Sequence, residues 1–204
     1  EPFEGSLEST CRDFCERTRD YWLEWVRRLA FSIDWQDEII RAGITLKLCS
    51  YEETGAIVAA LTTSIPEVPK SGRNWDYRFC WMRDAFFVVR ALNRIGATRT
   101  MEDFISYILS VSAGRLGEVR PLYGVVHTDA LEERTAPALS GYGGDGPVRI
   151  GNAAVNQSQH DVYGSIIMAA TPMFFDRRLP HPGDTALFRT IEPLGEQAAK
   201  LALE

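Results

Sequence analysis

The sequence has no excess of positive charge: across 204 residues, 22 Lys and Arg stand against 28 Asp and Glu, for a net charge of −6. That excludes a general nucleic-acid binder, because phosphate contacts require a concentrated basic footprint. It also lacks any apolar stretch near the roughly 18 residues of a membrane span. With 45% hydrophobic and 25% charged residues, its composition fits neither a disordered nor a membrane-embedded chain. Histidine is scarce. His127, His160 and His181 are scattered with no second histidine at ligand spacing, so no metal is assigned and no cofactor is expected. The four cysteines include no C-x2-C pair, and Cys11 and Cys15 sit four apart on a helical pattern, so all four read as free thiols. The first residues, Glu1-Pro2-Phe3-Glu4-Gly5, offer no basic region and no apolar run, hence no visible signal peptide, and no initiator Met. The expectation is a cytoplasmic chain that begins inside something larger or after processing.

What the sequence does have is helical periodicity. Phe14, Tyr21, Trp22, Trp25, Val26 and Leu29 recur at helical spacing between Leu7 and Phe31. Asp34 is placed to cap a second helix reaching about Cys49, whose Ile39, Ile40, Ile44, Leu46 and Leu48 are dense enough to predict extensive burial. Pro66 and Pro69 then impose a loop to about Tyr77. Trp81, Ala85, Val88, Val89, Leu92 and Ile95 define a third helix that stops at Gly96. Thr100 and Asp103 resemble a capping box for a fourth. Between Arg115 and Asn152 the period fails, leaving strand-like pieces at Leu122–Val126 and Val148–Ile150; helical patterning returns at about Ala153–Met168 and Thr185–Leu203. The reading is mainly α, six helices with little β, and no repeat of fixed period.

Two motifs take ordinary readings. Gly141-Tyr142-Gly143-Gly144-Asp145-Gly146 contains a literal G-x-G-x-x-G, but the extended-looking Pro147-Val148-Arg149-Ile150 follows it where a nucleotide site needs a helix, so it reads as a turn. Asn156-Gln157-Ser158 matches a glycosylation sequon but falls inside a predicted helix, so it reads as structural polarity. The densest chemistry is Arg73-Asn74-Trp75-Asp76-Tyr77-Arg78-Phe79-Cys80-Trp81-Met82-Arg83-Asp84. Sugar rings stack on broad aromatic faces while their hydroxyls seek charged donors and acceptors, and this segment interleaves both. The residues alone leave two readings open, a sugar subsite or a buried ion-pair plug with Trp75 and Trp81 in the core.

Tyr77-x-x-x-Trp81-x-Arg83-Asp84 resembles the signature of the glucoamylase-like enzymes, glycoside hydrolase family 15. Three further stretches are similar to the bacterial glucoamylase and trehalase branch, in the same order. They are Thr45-Leu46-Lys47-Leu48 before Gly55-Ala56-Ile57-Val58-Ala59-Ala60; Thr62-Thr63-Ser64-Ile65-Pro66-Glu67; and Pro147-Val148-Arg149-Ile150-Gly151-Asn152-Ala153-Ala154 with Gln159, Asp161, Tyr163 and Gly164. The resemblance implies an exo-acting, inverting hydrolase of α-linked glucose, on an α-glucan or trehalose, built on an (α/α)6 barrel of twelve helices. It implies that residues 1–204 are the N-terminal half of that barrel, with an upstream β-sandwich domain and the downstream half absent, and that the general acid and base lie beyond residue 204. Tyr77 and Trp81 would wall the first glucose subsite, and Arg83 and Asp84 would hold its hydroxyls. Asp84, beside Arg83, reads as a hydroxyl acceptor rather than a proton donor. Tyr142 would stand at the rim, and Asp161 would either face the pocket or be a satisfied helix carboxylate. The implied partners are an α-linked glucose oligosaccharide or trehalose, together with the other barrel half or a second copy. The alternative is a non-catalytic helical domain, or truncated product, that at most binds sugar.

Overall fold

A computed structural model describes residues 6–112, 119–126 and 131–203. Among them are six α-helices and three two-residue antiparallel strand pairs, so the molecule is mainly α. Among the described residues no helix is long and apolar enough to cross a membrane.

Helix α1, Leu7–Arg27, starts where the Ser6 hydroxyl accepts a hydrogen bond from the Ser9 N–H at 3.1 Å. None of its residues is buried. It stops short of Phe31 because the chain turns so that the Ala30 N–H donates to the Ile95 carbonyl at 2.8 Å. Helix α2, Gln36–Leu48, is not capped by Asp34. Trp35 takes the cap position in the left-handed region, with no side-chain bond. Nor is α2 extensively buried, since Gly43 alone of its residues is enclosed. A side chain at Gly43 would meet Ile95, Trp25 and Leu29 within 3.7 Å, which marks the one face that packs; Leu48 on another face is 53% exposed.

Helix α3, Met82–Arg94, ends before Gly96, whose φ of +86° reverses the chain. Helix α4, Thr98–Ser112, begins two residues ahead of the predicted cap, so Thr100 lies inside it and Asp103 pairs with Arg99 at 3.8 Å instead of closing a capping box. Helix α5 is shorter than its apolar pattern predicts. Asn152 caps a 3-10 turn at Ala153–Asn156, Gln157 is extended, and α5 proper is Asp161–Ala170. The sequon therefore lies in this turn and link, not in a helix. Helix α6, Thr185–Leu201, is capped by Asp184, which accepts from the Leu187 N–H at 2.8 Å.

Helix α3 packs between α4 and α5, and α5 packs on α6. Their shared core holds Phe86 and Val89, Phe104 and Ile108, Val162 and Ile166, and Ile191 and Leu194. Burying each such large apolar side chain contributes about 1.5–3 kcal/mol. A second, smaller cluster of Trp81, Leu122, Leu131 and Val155 lies under the irregular region. The strand pairs tie that region together: β1 (Ser50–Tyr51) with β2 (Ala56–Ile57), β3 (Cys80–Trp81) with β4 (Leu122–Tyr123), and β5 (Arg134–Thr135) with β6 (Arg149–Ile150).

Candidate functional site

Residues 74–81 are extended rather than helical, and the chain alternates between two faces with period two. Backbone bonds from Ser64 N–H to the Trp75 carbonyl (2.9 Å) and from Tyr77 N–H to the Thr62 carbonyl (3.3 Å) hold the segment against residues 62–67. Asn74, Asp76 and Cys80 point inward and are wholly enclosed. Trp75, Tyr77 and Trp81 point the other way, into a cavity of about 310 Å³ that opens to solvent. Immediately after Trp81 the chain becomes α3, so Arg83 and Asp84 sit in that helix's first turn and border the same cavity. The site thus stands where an extended segment becomes a helix.

The inward face is organised around Asp76. Asp76 is 0% exposed and accepts from Arg78 Nε at 2.9 Å and Nη2 at 2.8 Å, from the Arg78 N–H and from the Gly151 N–H, both at 3.2 Å. Asn152 Nδ2 donates to the Asp76 carbonyl at 3.0 Å. Asp76 is therefore a structural plug that joins residues 76–78 to residues 151–152. Gly151 is required there: its φ is +80°, and a Cβ would lie 2.1 Å from the Glu132 carbonyl oxygen.

The outward face is aromatic on one side and charged on the other. The Tyr77 and Trp81 rings lie 6.0 Å apart, tilted by 49°. The Tyr77 hydroxyl donates to Glu67 Oε1 at 2.6 Å, and Arg73 pairs with Glu67 Oε2 at 2.7 Å. Burial and that bond push the Tyr77 phenol up to about 12, so it acts as a donor and not as a phenolate. Arg83 is held between Asp84 at 3.5 Å and Asp161 at 3.1 Å. Asp84 Oδ2 is enclosed and accepts no hydrogen bond, although the side chain as a whole is 43% exposed. That oxygen faces Arg83 Nη2 at 3.5 Å, and the exposed part of the carboxylate borders the cavity, where it can accept from a ligand hydroxyl.

Tyr77, Trp81, Arg83 and Asp84, the four residues singled out in the sequence, line one cavity. Asp161 does not line it. Its side chain is 47% exposed, so it is no buried helix carboxylate, and it reaches the site only through Arg83. Tyr142 is 68% exposed and borders a separate surface groove with Pro66, Pro69 and Lys70. The Gly141–Gly146 segment is a tight turn closed by a Tyr142–Asp145 bridge, and no helix follows it. Seven lining residues were not named as site residues in the sequence, and Trp75 and Glu133 are the aromatic and the charged one among them. The alternation of aromatics at 75, 77, 79 and 81 was the available signal for Trp75. Glu133 carried none, since a strand pairing across the irregular region brings it in. Among the described residues no group of His, Cys, Asp and Glu could hold a metal ion; His127 lies outside them.

The sequence matches the family Glycosyl hydrolases family 15 over residues 36–196. It is 43% identical over 155 residues to a trehalase of Mycolicibacterium smegmatis, an alignment that covers 74% of this chain and 23% of the relative. It is 40% identical over 158 residues to a trehalase of Thermoplasma acidophilum, covering 78% and 27%. With trehalase 1 of Sulfolobus acidocaldarius the identity is 36% over 167 residues, covering 80% and 28%. The chain spans about a quarter of the length of these curated relatives. No solved structure matches it.

Proposed function

The chain belongs to glycosyl hydrolases family 15, and on that premise we propose that it supplies the terminal-glucose pocket of an exo-acting, inverting hydrolase of α-linked glucose, with trehalose as the substrate. The observation that carries the reading is the convergence of Tyr77, Trp81, Arg83 and Asp84 on one open cavity. Aromatic faces there suit the C–H face of a pyranose, and the charged pair suits its hydroxyls. The relatives named trehalase favour trehalose over a longer glucan.

Inversion needs a protonated carboxyl at the glycosidic oxygen and a carboxylate that activates water, about 6.5–9.5 Å apart. Among the described residues, the carboxylates near this cavity other than Asp84 are held by protein donors. Asp76 is plugged by Arg78 and Gly151, Glu67 holds Tyr77 and Arg73, and Glu133 bonds Arg149 and the Ala153 N–H. Asp84 borders the cavity with its side chain 43% exposed, and it stands beside a cation. On this reading the binding and orientation of the terminal glucose are this chain's part in the reaction, and the family resemblance implies a general acid and base beyond residue 204. The barrel half containing them would also cover the apolar side chains that α3, α5 and α6 leave exposed.

The test is a trehalose titration of the chain followed by NMR, with Asp84→Asn as the variant. A charged acceptor contributes about 1.5–3 kcal/mol per hydrogen bond, so the variant should weaken binding about 10- to 100-fold. Equal binding by the two proteins, or none by the wild type, refutes the reading.

A further inference from the structure

Trp75 borders the cavity, while Arg149 does not. The Arg149 guanidinium carbon lies 4.6 Å from the Trp75 ring centroid, so a cation covers this ring from behind. The guanidinium is fixed through two of its three nitrogens. Its Nε donates to Glu133 Oε1 at 3.0 Å, and its Nη1 donates to the Gly72 carbonyl at 2.9 Å and to the Asn74 carbonyl at 3.1 Å. Both side chains of the pair are shielded, 17% and 22% exposed. Glu133 is anchored by its second oxygen, which accepts from the Ala153 N–H at 3.3 Å. The Arg149 backbone is fixed too: its N–H donates to Ser64 Oγ at 2.7 Å, and its carbonyl accepts from Thr63 Oγ1 at 2.8 Å.

These contacts make more than a loop staple, because the two carbonyls that receive Nη1, those of Gly72 and Asn74, lie in the three residues leading into Trp75. The fork that fixes the backbone before Trp75 belongs to the same planar group that covers its ring. A lysine at 149 could keep the charge opposite Glu133, but not the fork and the stacked plane together.

We propose that Trp75 is a third aromatic wall of the sugar pocket, and that Arg149, aligned by Glu133, is the positioning residue that sets its face. This rests on the reading of the pocket as a glucose subsite and adds a specificity determinant supplied by residues 131–152. Trp75 and Glu133 both touch the cavity, so a sugar ring held by Asp84 and Arg83 meets a surface whose orientation is fixed from that second segment. Both Glu133 oxygens already accept a protein hydrogen bond, which ties the carboxylate to Arg149 and to the Ala153 N–H. It acts through Arg149.

The test reads the Trp75 indole N–H signal in ¹H–¹⁵N spectra of the chain, assigned by its loss in Trp75→Phe, with trehalose as the probe. Trehalose should shift that signal in the wild type. Arg149→Lys should move it without sugar and weaken trehalose binding at least fivefold; Glu133→Gln should act in the same direction, about two- to fivefold. Trp75→Phe, which leaves the brace intact, should also lose about fivefold. A brace that is only structural gives another pattern: Arg149→Lys and Glu133→Gln lower the melting temperature, but trehalose affinity and the Trp75 signal stay as in the wild type. That pattern, or trehalose shifting the Trp81 signal and not the Trp75 signal, overturns this inference and leaves the pocket assignment standing. Should Arg149→Lys fail to fold, Trp75→Phe binding trehalose with wild-type affinity overturns it equally. A wild-type chain that binds no trehalose overturns both.

Discussion

Asp76→Ala is the perturbation whose size the geometry fixes best. The side chain is wholly enclosed and accepts three bonds from Arg78 and one from Gly151. Removing one partner of a buried ion pair costs about 3–5 kcal/mol, chiefly because the other charge is stranded. Arg78, however, is 47% exposed and can turn to water, which places the loss near the lower end, about 3 kcal/mol. For a chain of 150–250 residues, each kcal/mol moves the melting temperature about 2–4 °C, so the expected drop is about 6–12 °C. Circular dichroism melts at neutral pH measure it. The same variant frees the Gly151 N–H, so Trp75 and Tyr77 should lose their fixed setting and weaken trehalose binding in step. Arg78→Gln is the control: it leaves Asp76 enclosed with fewer donors and should be comparably destabilising. A drop under about 2 °C for Asp76→Ala would show that the plug does not hold residues 76–78 to residues 151–152.

Other outcomes follow from the same geometry. Arg178 holds the Asp176 carboxyl well below the usual carboxylate range, through side-chain and backbone hydrogen bonds. A depressed folded-state pKa contributes stability above the unfolded value, near 4, and loses it as pH falls toward the folded value. Melting temperature against pH from 6 to 2.5 should therefore decline more steeply in acid for the wild type than for Asp176→Asn, and parallel curves would contradict this. The neighbouring helices α3, α5 and α6 expose Phe87 (57%), Met168 (53%) and Phe188 (51%), so the pure chain should self-associate at micromolar concentration. A monodisperse monomer in sedimentation velocity would show that these six helices close their own core. With no described carboxylate at the cavity placed as a general acid, the chain alone should release no glucose from trehalose or maltooligosaccharides above background; release would require Glu67, Asp76 or another local carboxylate to act as the acid.

The helices were legible where sequence punctuation and packing coincide. Gly96 ends α3 with a positive φ, and Asp184 caps α6, each where the pattern places it. Helix α2 misled because dense apolar residues imply cover, and here only the Gly43 face receives it. Along α5 the apolar run continued through residues that the Asn152 cap and the extended Gln157 remove from the helix. At the site, Tyr77, Trp81, Arg83 and Asp84 lie within eight consecutive residues, so a single change from extended to helical backbone brings them together. Glu133 and Arg149 lie far along the chain, paired through two-residue strands whose register no local periodicity encodes. Tyr142 shows the converse, a residue near the site in sequence logic that the Gly141–Gly146 turn carries to a different groove.

The central claim is where the sugar binds, and a crystal structure of the chain soaked with trehalose tests it most directly. The account predicts one glucose ring against Tyr77 and Trp81, with its hydroxyls on the Asp84 carboxylate and the Arg83 guanidinium and its other face toward Trp75. Sugar found only in the Tyr142 groove, or a pocket left empty at a trehalose concentration that saturates the chain in solution, would contradict it.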